Sequence, residues 1–116
     1  MSTPDDDHWD DPAWKRLHLA VENVDSAELS RLLTEEQDFD LNVSGYKGWT
    51  LLAYAIDAEV TTHQESGAPG PPPAPVSLLL VAHGADPYKR HPEGWSGIDF
   101  AQRRGHSIFL DGLQVR

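Results

Sequence analysis

No cysteine occurs in the 116 residues of this chain. Disulfide staples and thiolate metal sites are therefore excluded, and a reducing, cytoplasmic setting is the expectation. No apolar run approaches the roughly 18 residues of a membrane span, and the N-terminus lacks the basic-then-apolar order of a secretory signal. Neither export nor a membrane partner is expected. Basic residues are scarce as well: 9 Lys and Arg stand against 19 Asp and Glu, for a formal net charge of -10. A field of that sign repels nucleic acid and acidic membranes, and it attracts basic proteins. Also missing are a Gly-rich phosphate loop, a metal-binding helix with His and Glu in register, and a nucleophile elbow. His91 with Asp99 or Glu93 could supply a base and its orienter, but spacing alone does not arrange them. The six histidines show no spacing that dictates a metal site. The expectation is a binding protein and not an enzyme, with no cofactor and no metal.

The charge is unevenly distributed. Residues 1–60 hold 14 acids and 4 Lys or Arg, whereas residues 61–116 hold 5 of each. Residues 1–8, Met-Ser-Thr-Pro-Asp-Asp-Asp-His, have little to pack and read as an acidic disordered tail. The domain then occupies 9–116.

Three windows share one pattern: Trp14 to Ala20, Trp49 to Ala55 and Trp95 to Ala101. In each, Trp is followed by a large apolar residue three on, an apolar or aromatic residue five on, and Ala six on. The tryptophans are 35 and 46 residues apart, and recurrence at that interval suggests stacked units too small to bury their own apolar faces. Local signals place helices in and between the windows. Asp10, Asp11 and Pro12 read as a helix start, with Leu17, Ala20 and Val21 as its stripe. Asp25 with Glu28 fits a cap before Leu29, Leu32 and Leu33. Thr50 can cap a helix carrying Leu51, Leu52, Ala55 and Ile56. Five of the nine prolines cluster at Pro69, Pro71, Pro72, Pro73 and Pro75, so 57–75 reads as an excursion in loop or polyproline form. Leu78 to Ala82 resumes a helix closed by His83-Gly84. Ser96 can cap the next, Gly105-His106 reads as a turn, and Ile108 to Leu113 forms a last helix that Gly112 weakens.

Several segments together resemble the ankyrin repeat family. Gly48-Trp-Thr50-Leu-Leu52-Ala-Tyr-Ala55 is similar to the start of a unit, and Leu79-Leu80-Val81-Ala-His-Gly84-Ala85-Asp86 to its end. Gly94 to Ala101 with Gly105-His106 is similar to another start. Leu17-His18-Leu19-Ala20, Leu32-Leu33 and Asp40-Leu41-Asn42 carry the likeness into the first unit. The resemblance implies an all-α ankyrin repeat solenoid of antiparallel helix pairs joined by turns or hairpins. Its units would span 12–42, 43–88 (with the insertion 57–75) and 89–116. It also implies that His18 and His106 tie turns together by hydrogen bonds.

In that family, inner helices and turns line a concave protein-binding face. The positions this implies here are Trp14, Glu22, Tyr46, Lys47, Trp49, Asp57, Arg90, Pro92, Glu93, Trp95, Arg103 and Arg104. The three tryptophans share a register and are expected to form a ladder, with the alternative that they pack as core. Size, acidity and aromatic content together suggest an inhibitor or immunity-type protein that occludes a basic partner such as a toxin. The competing expectation is an adaptor or scaffold in which the acidity is incidental. Apolar area on the end helices leaves self-association open.

Overall fold

The computed structural model describes residues 12–45 and 48–114. The expected acidic tail, and with it Asp10 and Asp11, lies outside the described residues, as do Tyr46 and Lys47. Among the described residues six helices follow one another: α1 (Pro12–Glu22), α2 (Ser26–Glu35), α3 (Leu51–Ser66), α4 (Pro75–Ala82), α5 (Gly97–Arg104) and α6 (Ser107–Gln114). Among the described residues the sole β feature is an isolated antiparallel bridge between Arg90 and Ser96.

Local chemistry sets most of the helix ends. Asp25 accepts the Glu28 N–H at 3.1 Å, and the Thr50 hydroxyl accepts that of Ala53 at 3.3 Å. Ser96 and Asp99 form a full capping box, each side chain taking the other's backbone N–H. These bonds satisfy donors that a helix start leaves free. Gly105 stops α5 in the left-handed conformation at φ 69°, where a Cβ would be strained. Helix α3 departs from expectation. It continues through Thr61, Thr62 and His63 to Ser66 and stops at Gly67, φ 71°, so half of the expected excursion is helix.

The helices pack in two rows. In one, α3 lies between α1 and α5; in the other, α4 lies between α2 and α6; the rows join through α1 with α2, α3 with α4 and α5 with α6. One continuous core results, including Leu17, Leu29, Leu51, Ile56, Leu80 and Phe109, all fully buried. Gly112 is part of this packing: a Cβ there would meet Leu78 Cδ1 at 2.7 Å. It is the residue that lets α6 approach α4, not a weak point in the helix.

These dimensions correct the ankyrin repeat solenoid expectation. The body measures 43 × 31 × 29 Å with a radius of gyration of 13.5 Å, close to the ~13 Å of a compact domain of about 100 residues. The chain is an all-α, six-helix compact globular bundle with dense inter-helix packing, not a tandem ankyrin repeat solenoid. The physical reason lies in what the recurring pattern encodes. Trp14, Leu17 and Ala20, and likewise Leu52 and Ala55, are buried; the spacing specifies which side of a helix faces its neighbours. It does not specify an open-ended stack. The helix lengths differ too, from 8 residues in α4, α5 and α6 to 16 in α3.

Loop contacts across the bundle hold it closed. Asn42 donates from Nδ2 to the Gly84 carbonyl at 3.1 Å and accepts the Asp86 N–H at 2.6 Å. Lys89 Nζ donates to the Asn42 carbonyl.

Candidate protein-binding face

Helix α3 carries two carboxylates two residues apart, and they lie in opposite environments. Glu59 is sealed in the core with His106, both side chains at 0% exposure. Its Oε2 accepts the N–H groups of Val76 and Ser77, each at 2.8 Å. Its Oε1 accepts the Ser77 hydroxyl at 2.6 Å and lies 2.8 Å from His106 Nε2. An ionised carboxylate only accepts, so His106 donates from Nε2, which leaves Nδ1 buried without a hydrogen-bond partner. The need for Glu59 is visible at the start of α4. Ala74 stands at its N-cap and has no side-chain oxygen to offer. Glu59 supplies the acceptor, and its charge sits at the positive end of the α4 dipole. The tie implied for His106 is thus made to a side chain of α3.

Asp57 faces the other way, with its side chain 43% exposed, and pairs with Arg104 of α5. Arg104 also donates to the Thr61 hydroxyl at 3.1 Å and lies 5.8 Å from the centre of the Phe100 ring. Beside this pair runs a belt of rings. His91 stacks on Trp95 at 4.4 Å between centroids; Trp95 meets Trp49 edge-on at 5.5 Å; Trp49 meets Tyr54 at 5.1 Å. Tyr54 then meets both Trp14, at 5.9 Å, and His18, at 4.5 Å. Trp49, Tyr54 and Trp95 are half-buried, so the belt is anchored in the core and offers ring surface outward.

Two grooves flank the belt. One, of about 230 Å³, is lined by Glu22, Tyr54, Asp57, Thr61, Thr62 and Glu65. The other, of about 400 Å³, is lined by Glu93, Gly94, Trp95, Asp99, Gln102 and Arg103. Glu22, Asp57, Trp49, Trp95, Glu93, Arg103 and Arg104 therefore belong to one surface region or its rim. Arg90 is turned to its own loop, donating to the Gly94 carbonyl at 2.5 Å and lying 3.7 Å from Asp99. Pro92 is exposed, and its ring lies against Gly48. Trp14 is 3% exposed, under Gly45, so it is core and not face. Trp49 and Trp95 touch directly, and Tyr54 links them to Trp14.

The imagined base at His91 is held otherwise: its Nδ1 accepts the Glu93 N–H at 3.0 Å, and Asp99 is engaged in the capping box. The Ser96 backbone N–H holds the Asp99 carboxyl below the usual carboxylate range. Burial lowers the His18 imidazole below its ordinary value, against an opposite pull from Glu22. Among the described residues no cluster of three or more His, Cys, Asp or Glu is placed to hold a metal, and no helix is long and apolar enough to cross a membrane.

Sequence reasoning missed Tyr54, Glu65, Glu59 and Ser77. Tyr54 falls at the five-on position of the shared pattern, where Phe100 also stands. Glu59 was signalled by its place on the α3 stripe, three residues after Ile56 and beside Val60.

No protein-family model and no curated protein matches this chain.

Proposed function

We propose that this chain works by binding another protein, as an acidic inhibitor or immunity-type protein that occludes a basic partner. The observation carrying this reading is the half-buried row of Trp49, Tyr54 and Trp95, bordered by Glu22, Asp57 and Glu65. Aromatic groups set in a scaffold bury much area at small entropy cost, which is how interface anchors act. The excess of acids speeds encounter with a basic surface, and the aromatic contacts then slow dissociation. The action is occlusion, with no bond made or broken, and a cytoplasmic setting suits a chain without cysteine.

Exposure of Pro69, Pro71 and Pro73 between α3 and α4 favours a second reading, an adaptor or scaffold that also offers a proline-rich segment to aromatic grooves.

The test is capture of partners from the host lysate at low salt, repeated with Trp49→Ala and Trp95→Ala proteins verified as folded. One dominant basic partner is expected, weakened at least about 30-fold by either change, the scale of an interface hot spot. Its association rate should fall steeply with salt. Many weak partners, or one indifferent to both substitutions, would reject the inhibitor reading in favour of the scaffold.

A further inference from the structure

His18 sits where the aromatic belt meets the acidic groove. Its ring stacks on Trp14 at 4.6 Å and 22°, and stands edge-on to Tyr54 at 4.5 Å and 73°. Its Nε2 is shut off from solvent and lies 3.0 Å from Glu22 Oε1, yet no aligned hydrogen bond joins them. Glu22 is itself about half exposed and lines the groove with Tyr54, Asp57 and Glu65. The imidazole therefore has a carboxylate at contact distance, while that carboxylate still faces the surface.

We propose that His18 and Glu22 form a proton-operated latch on the binding face: an imidazolium at position 18 captures the Glu22 carboxylate, withdraws it from the groove, and so weakens capture of a basic partner in acid. Protonation gives His18 a charged donor at Nε2, and a charge-assisted bond to Glu22 replaces the present near miss. One face of the cation is already lined by the stacked Trp14 ring, which favours a positive charge.

Among the described residues, the surroundings of His18 contain few competitors. On its own helix the facing charge is Glu22. From α3 come the Tyr54 ring and, one turn onward, Asp57, which Arg104 holds. From α2 the inward groups are Leu29, Leu32 and Leu33, while Glu28, Arg31 and Glu35 pair on its outer side. Beyond α2, Glu36 pairs with Arg16. Burial lowers the His18 value, so the latch is open at neutral pH and closes in mild acid, below the ordinary histidine range.

The regulatory half of this proposal rests on the docking reading above; the latch itself does not. The first test is an NMR titration of the full chain, following the His18 ring and the Glu22 carboxyl carbon from pH 8 to pH 4.5. Both signals should move with one shared midpoint, below about 6.5, and Glu22→Gln should lower the His18 midpoint further. Independent titration of the two groups, or a His18 midpoint unchanged by Glu22→Gln, would overturn the latch. The second test measures binding of a hexa-arginine peptide at pH 7.5 and 5.5. Wild type should bind about fivefold more weakly in acid, on the scale of a single coupling between sites, and His18→Gln should lose that dependence. Equal dependence in both proteins would overturn the latch alone. Absence of binding at either pH would overturn the docking reading and the regulatory role, leaving the first test to decide whether His18 and Glu22 are coupled. Glu22→Gln changes only a surface position, so the first test stands even where His18→Gln fails to fold.

Discussion

Glu59 and Asp57 share a helix, a charge and nearly a position, yet one belongs to the fold and the other to the surface. Glu59 gathers four polar contacts from α4 and from the junction of α5 and α6, with its side chain fully buried. Asp57 meets Arg104, which also donates to Thr61, at the edge of a groove, where water competes for the same bonds. The lesson is that a carboxylate's importance to stability follows from how many groups would be stranded without it. Charge or pairing alone does not set it. The same contrast divides the tryptophans: Trp14 is enclosed under Gly45, while Trp49 and Trp95 keep part of their rings outward.

The largest expected effect is that of Glu59→Ala. It leaves two N–H groups of α4 and the His106 ring buried without an acceptor, at a cost of about 3–5 kcal/mol. Against a total stability of about 5–15 kcal/mol, a fall in melting temperature of more than ~10 °C should follow in calorimetry. Asp57→Ala should cost at most about 1 kcal/mol, as for other partly exposed pairs. Comparable losses in the two proteins would break the contrast.

Next in size is Gly112→Ala. The added Cβ would press on Leu78, and overpacking of this kind costs about 1–3 kcal/mol. If Gly112 merely weakened α6, the same change would stabilise the protein by helix propensity, by up to about 1 kcal/mol. The sign of the change in denaturant midpoint therefore decides between the two accounts.

The smallest effect concerns the capping box of α5. The Asp99 carboxyl is held below the usual range chiefly by the Ser96 N–H. A depressed folded-state value means that the unfolded chain binds the proton more readily. The contribution is present above the ordinary carboxylate value and is lost as pH falls through the depressed one. Removing it with Asp99→Asn should flatten the acid limb of the stability curve slightly, while the same substitution at Asp57 should leave the Asp99 contribution in place.

Much of the local structure was legible because it is written in near neighbours. Asp25, Thr50 and Ser96 each act on a residue three further on, Gly105 follows the end of α5 directly, and Gly84 comes just after the C-cap His83 of α4. The recurring Trp pattern was legible as a statement about burial, and it misled where it was extended to an ankyrin solenoid, since the same inward stripe serves a closed bundle. Helix α3 outran expectation because tertiary contacts carried it past the polar, β-branched stretch Thr61-Thr62; the true stop signal was Gly67. The contact between Glu59 and His106 joins residues 47 apart, and no local rule reports such a meeting. An acid on an apolar stripe and a helix beginning after an alanine were each visible alone, and only the fold pairs them. On the candidate face, Trp49, Trp95 and Asp57 were named from the sequence, whereas Tyr54, which joins the rings into one belt, was not.

The segment between α3 and α4 has a consequence for how this protein can be lengthened. Gly67 and Gly70 have open space where a side chain would begin, and His63 Nε2 to the Gly70 carbonyl, at 2.9 Å, ties the loop near its base. Doubling such a flexible loop costs only about 0.6 kcal/mol of closure entropy. A reporter domain or an affinity tag spliced between these two glycines would ride outside the two rows of helices, making this joint a ready handle for attaching the protein to a surface with its aromatic belt left clear.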